Sequence, residues 1–230
     1  VVGRSSMKNI KKENISVIFS GDSGDGIQFV GKLFALQLAL MGKSVSGIPN
    51  FPAEVRSPVD TLNGVSSFNT IADVDSVALK DFLVDMLLVF NVSALMKNIK
   101  SLKKGGILII NEDNFTKEKL LNHGCSLQYL NSLSTNYLLV KIPLTTCIRN
   151  AFKEIKVSFS EKKKTKNMFM LAIIYWMLGI EKKYFYDLLK EKQASHLDKS
   201  ELNKTAFLFG YHYAETVDLM SDIKLQTLPV

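Results

Sequence analysis

The feature that most limits what this chain can fold into is a strand that runs directly into a glycine-rich turn and then a helix. Ile15 to Phe19 (I-S-V-I-F) is a β-branched run of the kind that suits a pleated, buried strand. It ends in Ser20-Gly21-Asp22-Ser23-Gly24-Asp25-Gly26. Apolar residues then recur at Ile27, Val30, Phe34, Leu38 and Met41, the three-or-four spacing of a helix with one buried face. Gly42 stands where a helix C′ residue is expected. Ser44 to Ile48 reads as a second strand, so the chain opens as a βαβ unit of an α/β domain.

The rest of the pattern agrees. Gly64 to Ile71 reads as a strand, and Asp85 to Asn91 (D-M-L-L-V-F-N) is a continuous apolar run expected of a strand covered on both faces. Val92 to Leu102 predicts a short helix, and Gly105-Gly106 turns into the strand Ile107 to Asn111. Thr116 to Leu121 predicts a helix, the segment near Leu127 a strand, Asn136 to Ile142 a last strand, and Leu144 to Ile155 a helix. Asn167 to Gly179 is apolar nearly all round, hence a buried helix, with Phe169, Tyr175 and Trp176 in the core. Glu181 to Gln193 is amphipathic. A final helix, capped by Asp198 or Ser200, would bury Leu202, Ala206, Phe209, Tyr213, Val217 and Met220, with a close contact at Gly210. The expected fold is a three-layer α/β domain with a mixed, largely parallel sheet and a helical C-terminal end. It would occupy residues 7–222, after a vector-derived leader over Val1 to Ser6 and before a linker over 223–230.

Composition excludes several functions. Two cysteines, Cys125 and Cys147, are too few for the thiolates of an iron–sulfur cluster, and His123, His196 and His212 lack metal-ligand spacing. The net charge of +7 invites thought of nucleic acid, but only three of the 29 basic residues are arginine (Arg4, Arg56, Arg149) and the lysines are scattered. Nucleic acid is not expected as a partner. No apolar run approaches the roughly 20 residues that span a bilayer, so no membrane role is expected and the reading is cytoplasmic.

Three segments could carry chemistry. The Gly21-to-Gly26 turn places backbone N–H groups at a helix start, where an anion could sit. Its spacing is G-x-x-G-x-G, not G-x-G-x-x-G, and Asp22 and Asp25 put negative charge beside any phosphate. A tight turn feeding a packed helix explains the same residues equally well. Gly24-Asp25-Gly26 also suggests a thiamine-diphosphate motif, but the paired asparagines are missing, with Asn50 alone. The second segment, Pro49-Asn50-Phe51-Pro52-Ala53-Glu54-Val55-Arg56, opens a stretch to Pro58 holding three of the five prolines, which predicts a structured loop. Arg56 offers a planar fork for carboxylate or phosphate, or it and Glu54 brace the loop internally. The third, Lys162 to Asn167 (K-K-K-T-K-N), precedes the buried helix and is either a phosphate contact or a solvated loop.

Taken in order, F-S-G-D-S-G-D-G-I-Q from Phe19, P-N-F-P-A-E-V-R from Pro49 and G-V-S-S-F from Gly64 resemble one family. K-N-M-F-M-L from Lys166, N-K-T-A from Asn203 and Gly210-Tyr211 continue the match, which runs from about Ile15 to Met220. The chain is similar to the gamma-type, N-terminal domain of the alpha subunit of 2-oxoglutarate:ferredoxin oxidoreductases and related 2-oxoacid:acceptor oxidoreductases. That resemblance implies oxidative decarboxylation of a 2-oxoacid, 2-oxoglutarate above all, to an acyl-CoA with electrons passed to ferredoxin. It places thiamine diphosphate, magnesium and iron–sulfur clusters in other domains or subunits. It implies coenzyme A as substrate, a thiamine-type domain of the same longer chain and a beta subunit as partners, and ferredoxin as an indirect one. This domain alone would hold no catalytic residue and no tightly bound cofactor, and would be inactive. Gly21, Asp22, Ser23, Gly24, Asp25 and Gly26, with Asn50, Glu54 and Arg56, are the candidate contacts for coenzyme A or the neighbouring domain. Two alternatives remain. A stand-alone nucleotide-binding protein would need an acidic ribose ligand about 20 positions on, where V-S-G-I-P at 45–49 offers none. A ligand-free assembly module is the other.

Overall fold

The structure is a computed structural model that describes residues 10–53, 58–73, 83–156, 158, 161, 165–190, 201–219 and 223–225. Glu54, Arg56, Met220 and the proposed caps Asp198 and Ser200 lie outside the described residues.

The strands are β1 (Ile10–Lys12), β2 (Ile15–Asp22), β3 (Val45–Asn50), β4 (Val65–Ala72), β5 (Val84–Val89), β6 (Leu102–Asn111), β7 (Leu138–Ile142) and β8 (Ile223–Leu225). The helices are α1 (Ile27–Leu40), α2 (Val92–Asn98), α3 (Lys117–Asn122), α4 (Leu127–Ser132), α5 (Leu144–Ala151), α6 (Lys166–Leu178), α7 (Lys183–Lys190) and α8 (Glu201–Thr216). The main sheet has the order β3-β4-β2-β5-β6-β7, in which β2, β5, β6 and β7 pair in parallel. β4 runs antiparallel to both β2 and β3. A separate parallel pair, β1 with β8, joins the two ends of the described chain.

Alternation along the central strands divides the core. Val17 and Phe19 of β2, Met86 and Leu88 of β5, and Ile107 and Ile109 of β6 pack on α1, α5, α6, α7 and α8. Ile18, Leu87, Val89, Leu108 and Ile110 point to the opposite face, under α2, α3 and α4. Both faces are therefore covered, which is why D-M-L-L-V-F-N carries no polar alternation. The three-layer, mixed and largely parallel α/β expectation is borne out.

Gly42 closes α1 at φ +81°, with the Lys43 N–H donating to the Leu38 carbonyl at 3.0 Å. Within α6, Phe169 and Tyr175 are fully buried, while Trp176 is half-buried and donates through Nε1 to the Leu219 carbonyl. Tyr175 donates its hydroxyl to Gln37 Oε1 at 2.6 Å, tying α6 to α1.

Several expectations are corrected. The opening strands β2 and β3 run in the same direction but are not neighbours, because β4 inserts between them and pairs with both. Pro49 and Asn50 belong to β3 rather than to a loop. An edge strand can absorb a proline because only one side of its backbone is paired. Leu127 begins a helix, not a strand, since the Ser126 hydroxyl caps it by accepting from the Tyr129 N–H. Gly105 and Gly106 lie inside β6, at an irregularity of its register with β5, instead of before the strand. Helix α2 stops at Asn98, and a 3₁₀ turn over Ile99–Ser101 leads into β6. On α8 the fully buried positions are Ala206, Phe207, Gly210 and Ala214, whereas Phe209 and Val217 are exposed. Small side chains let α8 approach α6 closely, with Phe207 stacked on Phe185 of α7 and Phe209 left at the exposed margin. The close contact expected at Gly210 is present: a Cβ there would lie 2.5 Å from the Phe169 carbonyl oxygen.

Candidate functional site

Between β2 and β5 the connections diverge. The chain leaving β2 enters α1 on one face of the sheet, and the chain leaving β5 enters α2 on the other. Outside the carboxyl ends of the strands this divergence leaves a crevice, the usual ligand position of an open α/β sheet. Here it is a cavity of about 310 Å³ whose walls include Asp22, Gly24, Asp25, Asp60, Asn91, Asn111, Asn114, Lys119 and Lys166. A wider, open groove of about 830 Å³ shares Val59, Asp60 and Lys119 with it and continues past Thr61, Leu62 and His123.

The glycine turn builds one wall and spends the N–H groups of Asp22, Ser23 and Asp25 in doing so. The Asp22 N–H donates to Asp25 Oδ2 at 3.0 Å, the Asp25 N–H to the Asp22 carbonyl at 2.9 Å, and the Ser23 N–H to the Gly64 carbonyl at 3.1 Å. Asp25 also receives the Lys166 ammonium as an ion pair, and its carbonyl accepts from Asn167 Nδ2 at 2.9 Å. Lys166 lies over the Phe90 ring, 4.9 Å from its centroid. Gly26 sits at φ +75° against Asn167, where a side chain would find no room. The turn is thus closed by two residues some 140 positions away, and it brings the Asp22 and Asp25 carboxylates to the cavity.

Asp22 anchors the opposite rim. Its carboxylate accepts from the Asp60 N–H at 3.1 and 3.2 Å. Burial raises its pKa above the ordinary 3.8, the Asp60 N–H lowers it, the Asp25 charge raises it, the Asn91 amide lowers it and the Asp60 charge raises it. Asp60, at φ +58°, holds its Oδ1 against the Ser93 N–H at 3.0 Å, and Asn91 Oδ1 accepts from the Ala94 N–H at 2.9 Å. Both therefore cap the first turn of α2. His123 completes the rim. Its Nδ1 donates to the Lys119 carbonyl at 2.8 Å, and its Nε2 lies 2.7 Å from the Ser93 hydroxyl and 3.0 Å from the Asp60 carbonyl. Lys119 Nζ donates to Asn114 Oδ1 at 3.0 Å, and Asn114 Nδ2 to the Phe90 carbonyl at 2.9 Å.

Of the residues singled out from sequence, Asp22, Gly24 and Asp25 line the cavity. Gly21 is buried at the end of β2, Ser23 is exposed, and Gly26 starts α1. Asn50 ends β3, two strands from β2 at the same end of the sheet, and its carbonyl accepts from Gln28 Nε2 at 3.4 Å. Sequence reading passed over Asp60, Asn91, Asn111, Asn114, Lys119 and His123, and it took Lys166 as one of a charge run. Asn91 and Asn111 did carry a usable signal. Each is a polar residue closing a buried apolar strand, D-M-L-L-V-F-N and I-L-I-I-N, at the end where such folds bind ligands. Among the described residues no group of three or more His, Cys, Asp or Glu is placed to hold a metal ion, and no helix is long and apolar enough to cross a membrane.

A largely parallel sheet with helices on both faces and a polar crevice at its switch point defines an open-sheet α/β domain. More narrowly, the chain belongs to the pyruvate ferredoxin/flavodoxin oxidoreductase family, whose pattern matches residues 16–213. It is 37% identical over 222 residues to the 2-oxoglutarate oxidoreductase subunit KorA of Mycobacterium tuberculosis (strain ATCC 25618 / H37Rv), a match covering 94% of this chain and 34% of that protein. It is similar in fold to 2-oxoglutarate:ferredoxin oxidoreductase from Magnetococcus marinus, solved with 2-oxoglutarate, coenzyme A and succinyl-CoA bound. There the TM-score is 0.69 at 18% identity, over 95% of this chain and 34% of that one. The gamma subunit of a keto/oxoacid ferredoxin oxidoreductase from Geobacter sulfurreducens PCA superposes with a TM-score of 0.59 at 20% identity, over 88% of this chain and 99% of that one. The family resemblance drawn from the glycine turn and the N-F-P-A-E segment is borne out. The chain spans about a third of the length of the two longer relatives.

Proposed function

We propose that this chain is the gamma-type part of a cytoplasmic 2-oxoacid:ferredoxin oxidoreductase, with 2-oxoglutarate as the oxoacid, and that it receives coenzyme A in the crevice between β2 and β5. The larger enzyme would decarboxylate the oxoacid oxidatively, form the acyl-CoA and pass electrons to ferredoxin. This chain would pack on a thiamine-type domain and a beta subunit and would not turn over alone. The observation that carries the reading is the polar cavity at the switch point, taken with 37% identity to a 2-oxoglutarate oxidoreductase subunit. Asp22, Gly24 and Asp25 are the contacts proposed from the turn. Asn50, at the end of β3, and Glu54 and Arg56 are the other residues proposed, for coenzyme A or for the neighbouring domain.

The described residues do not fit thiamine diphosphate. The one acidic residue that the G-D-G turn could offer to a magnesium ion, Asp25, is already committed to Lys166 and to the Asp22 N–H.

Isothermal titration of coenzyme A into this chain should give saturable heat, with no turnover of 2-oxoglutarate when ferredoxin is added. Absence of heat, together with strong thermal stabilisation by NAD, FAD or ATP, would replace this reading with a nucleotide-binding one.

A further inference from the structure

His123 joins three segments around the wall that separates the cavity from the groove. Its side chain is 15% exposed and that of Asp60 13%. Nδ1 lies 2.8 Å from the Lys119 carbonyl of α3. Nε2 lies 3.0 Å from the Asp60 carbonyl, 2.7 Å from the Ser93 hydroxyl of α2 and 3.6 Å from Asp60 Oδ1. Each ring nitrogen therefore faces a backbone carbonyl, and a carbonyl can only accept. A neutral ring carries one N–H, so either tautomer turns a lone pair on one of the two carbonyls. The imidazolium has two N–H donors, satisfies both, and sets its charge beside the Asp60 carboxylate.

Asp60 is the residue these contacts hold. It sits at φ +58°, a conformation that a non-glycine residue keeps under constraint from its surroundings. Its N–H is fixed by Asp22, its Oδ1 by the Ser93 N–H and its carbonyl by His123. Val59 beside it is 83% exposed and Leu62 53%, so little apolar burial anchors this stretch. Val59, Asp60 and Lys119 line both the cavity and the groove, and so form the partition between them. The other charged groups around the ring do not replace it. Glu118 and Lys119 of α3 share the groove with it, and Lys119 is engaged by Asn114. Lys97 of α2 donates to the Val65 carbonyl, the Cys125 thiol points to the His123 backbone carbonyl, and Asp22 reaches the ring through Asp60.

We propose that His123 is a charge-dependent latch on this partition. As imidazolium it pins Asp60 and keeps the cavity and the groove apart. On losing a proton it releases the Asp60 carbonyl, the segment from Pro58 to Gly64 loosens, and the two spaces join. Histidine is the side chain suited to this, because its charge changes within the physiological range. The latch does not depend on which ligand occupies the crevice.

The test follows this chain, labelled with ¹⁵N, from about pH 5 to about pH 8. Long-range ¹H–¹⁵N spectra report which ring nitrogens of His123 carry a proton. Hydrogen exchange reports the protection of the Asp60 and Ser93 amides relative to the unfolded chain. At the acid end both ring nitrogens should be protonated and both amides protected. Through the ring's own titration the protection should fall about tenfold, the effect of one lost charge-assisted hydrogen bond. In His123→Asn, or in His123→Gln if the first does not fold, the protection should no longer vary with pH. A neutral ring at the acid end, or amides that ignore the ring's titration, would overturn the latch. So would a response that persists in the variant, which would belong to Asp22 or Asp60 instead.

Discussion

Gly210→Ala tests how tightly the C-terminal helix is seated. The added Cβ would stand 2.5 Å from the Phe169 carbonyl oxygen, 3.0 Å from its Cα and 3.1 Å from its carbonyl carbon. These are backbone atoms of α6, whose side chains are buried almost all round, so no rotamer change can clear the space. The two helices must part by roughly 0.7 Å or more to restore ordinary contact, and neighbouring contacts across the seam lose part of their dispersion energy. Overpacking of this kind costs about 1–3 kcal/mol. Alanine returns about 0.5–1 kcal/mol because glycine is a poor helix former. With a backbone atom at 2.5 Å the overpacking falls at the upper end of that range, so the net loss should be about 2 kcal/mol, which for a chain of this size lowers Tm by about 4–8 °C. Thermal unfolding followed by circular dichroism reads this directly. The fluorescence of Trp176, packed edge-on to Tyr211 at 5.4 Å between centroids on the same pair of helices, gives a local report. Gly24→Ala serves as the control, since nothing lies within 4 Å of its added Cβ and the change should stay within about 0.5 kcal/mol. A Gly210→Ala protein as stable as the parent would show that α8 is not packed on Phe169 as described.

Two further outcomes follow from the site and the core. Because burial raises the pKa of Asp22, the folded chain holds that proton more tightly than the unfolded chain does, so stability falls as pH rises from 3.8 through the raised value. Asp22→Asn removes that cost and keeps an oxygen for the Asp60 N–H. It should be at least as stable as the parent at pH 7 in urea titrations, with the advantage shrinking towards pH 4; a deficit independent of pH would contradict the reasoning. The Cys147 thiol is pushed up to about 11 by burial and then by the Asp113 charge, and burial also pushes up Cys125. Native protein at pH 8 should therefore resist iodoacetamide at both positions, by mass spectrometry, and react at both in urea; rapid labelling of the folded chain would refute the burial of these thiols.

Much of the layering was legible because burial leaves local marks. D-M-L-L-V-F-N can be a strand covered on both faces, and the apolar spacing from Ile27 to Met41 can be a helix with one buried side. What failed depended on partners remote in sequence or on a competing local cap. The stripe expected on the last helix holds for Ala206, buried, and for Leu202 and Tyr213, which pack partly buried on the core, yet the seating of α8 on α6 buries Phe207 and Ala214 and leaves Phe209 and Val217 exposed. The strand expected near Leu127 yielded to a local cap, Ser126, whose hydroxyl competes for the Tyr129 amide.

The glycine turn shows the same division. Its place between strand and helix, its family and its position at the carboxyl edge of the sheet are properties of neighbouring residues, and the sequence by itself determined them. Whether the turn would offer amides or carboxylates was decided only by the tertiary structure. Lys166 and Asn167 arrive from α6 to hold Asp25, and Asp60 arrives to hold Asp22. Hydrogen bonds and ion pairs act over a few ångströms whatever the separation along the chain, so the character of this crevice exists only once the sheet and helices have brought those groups together.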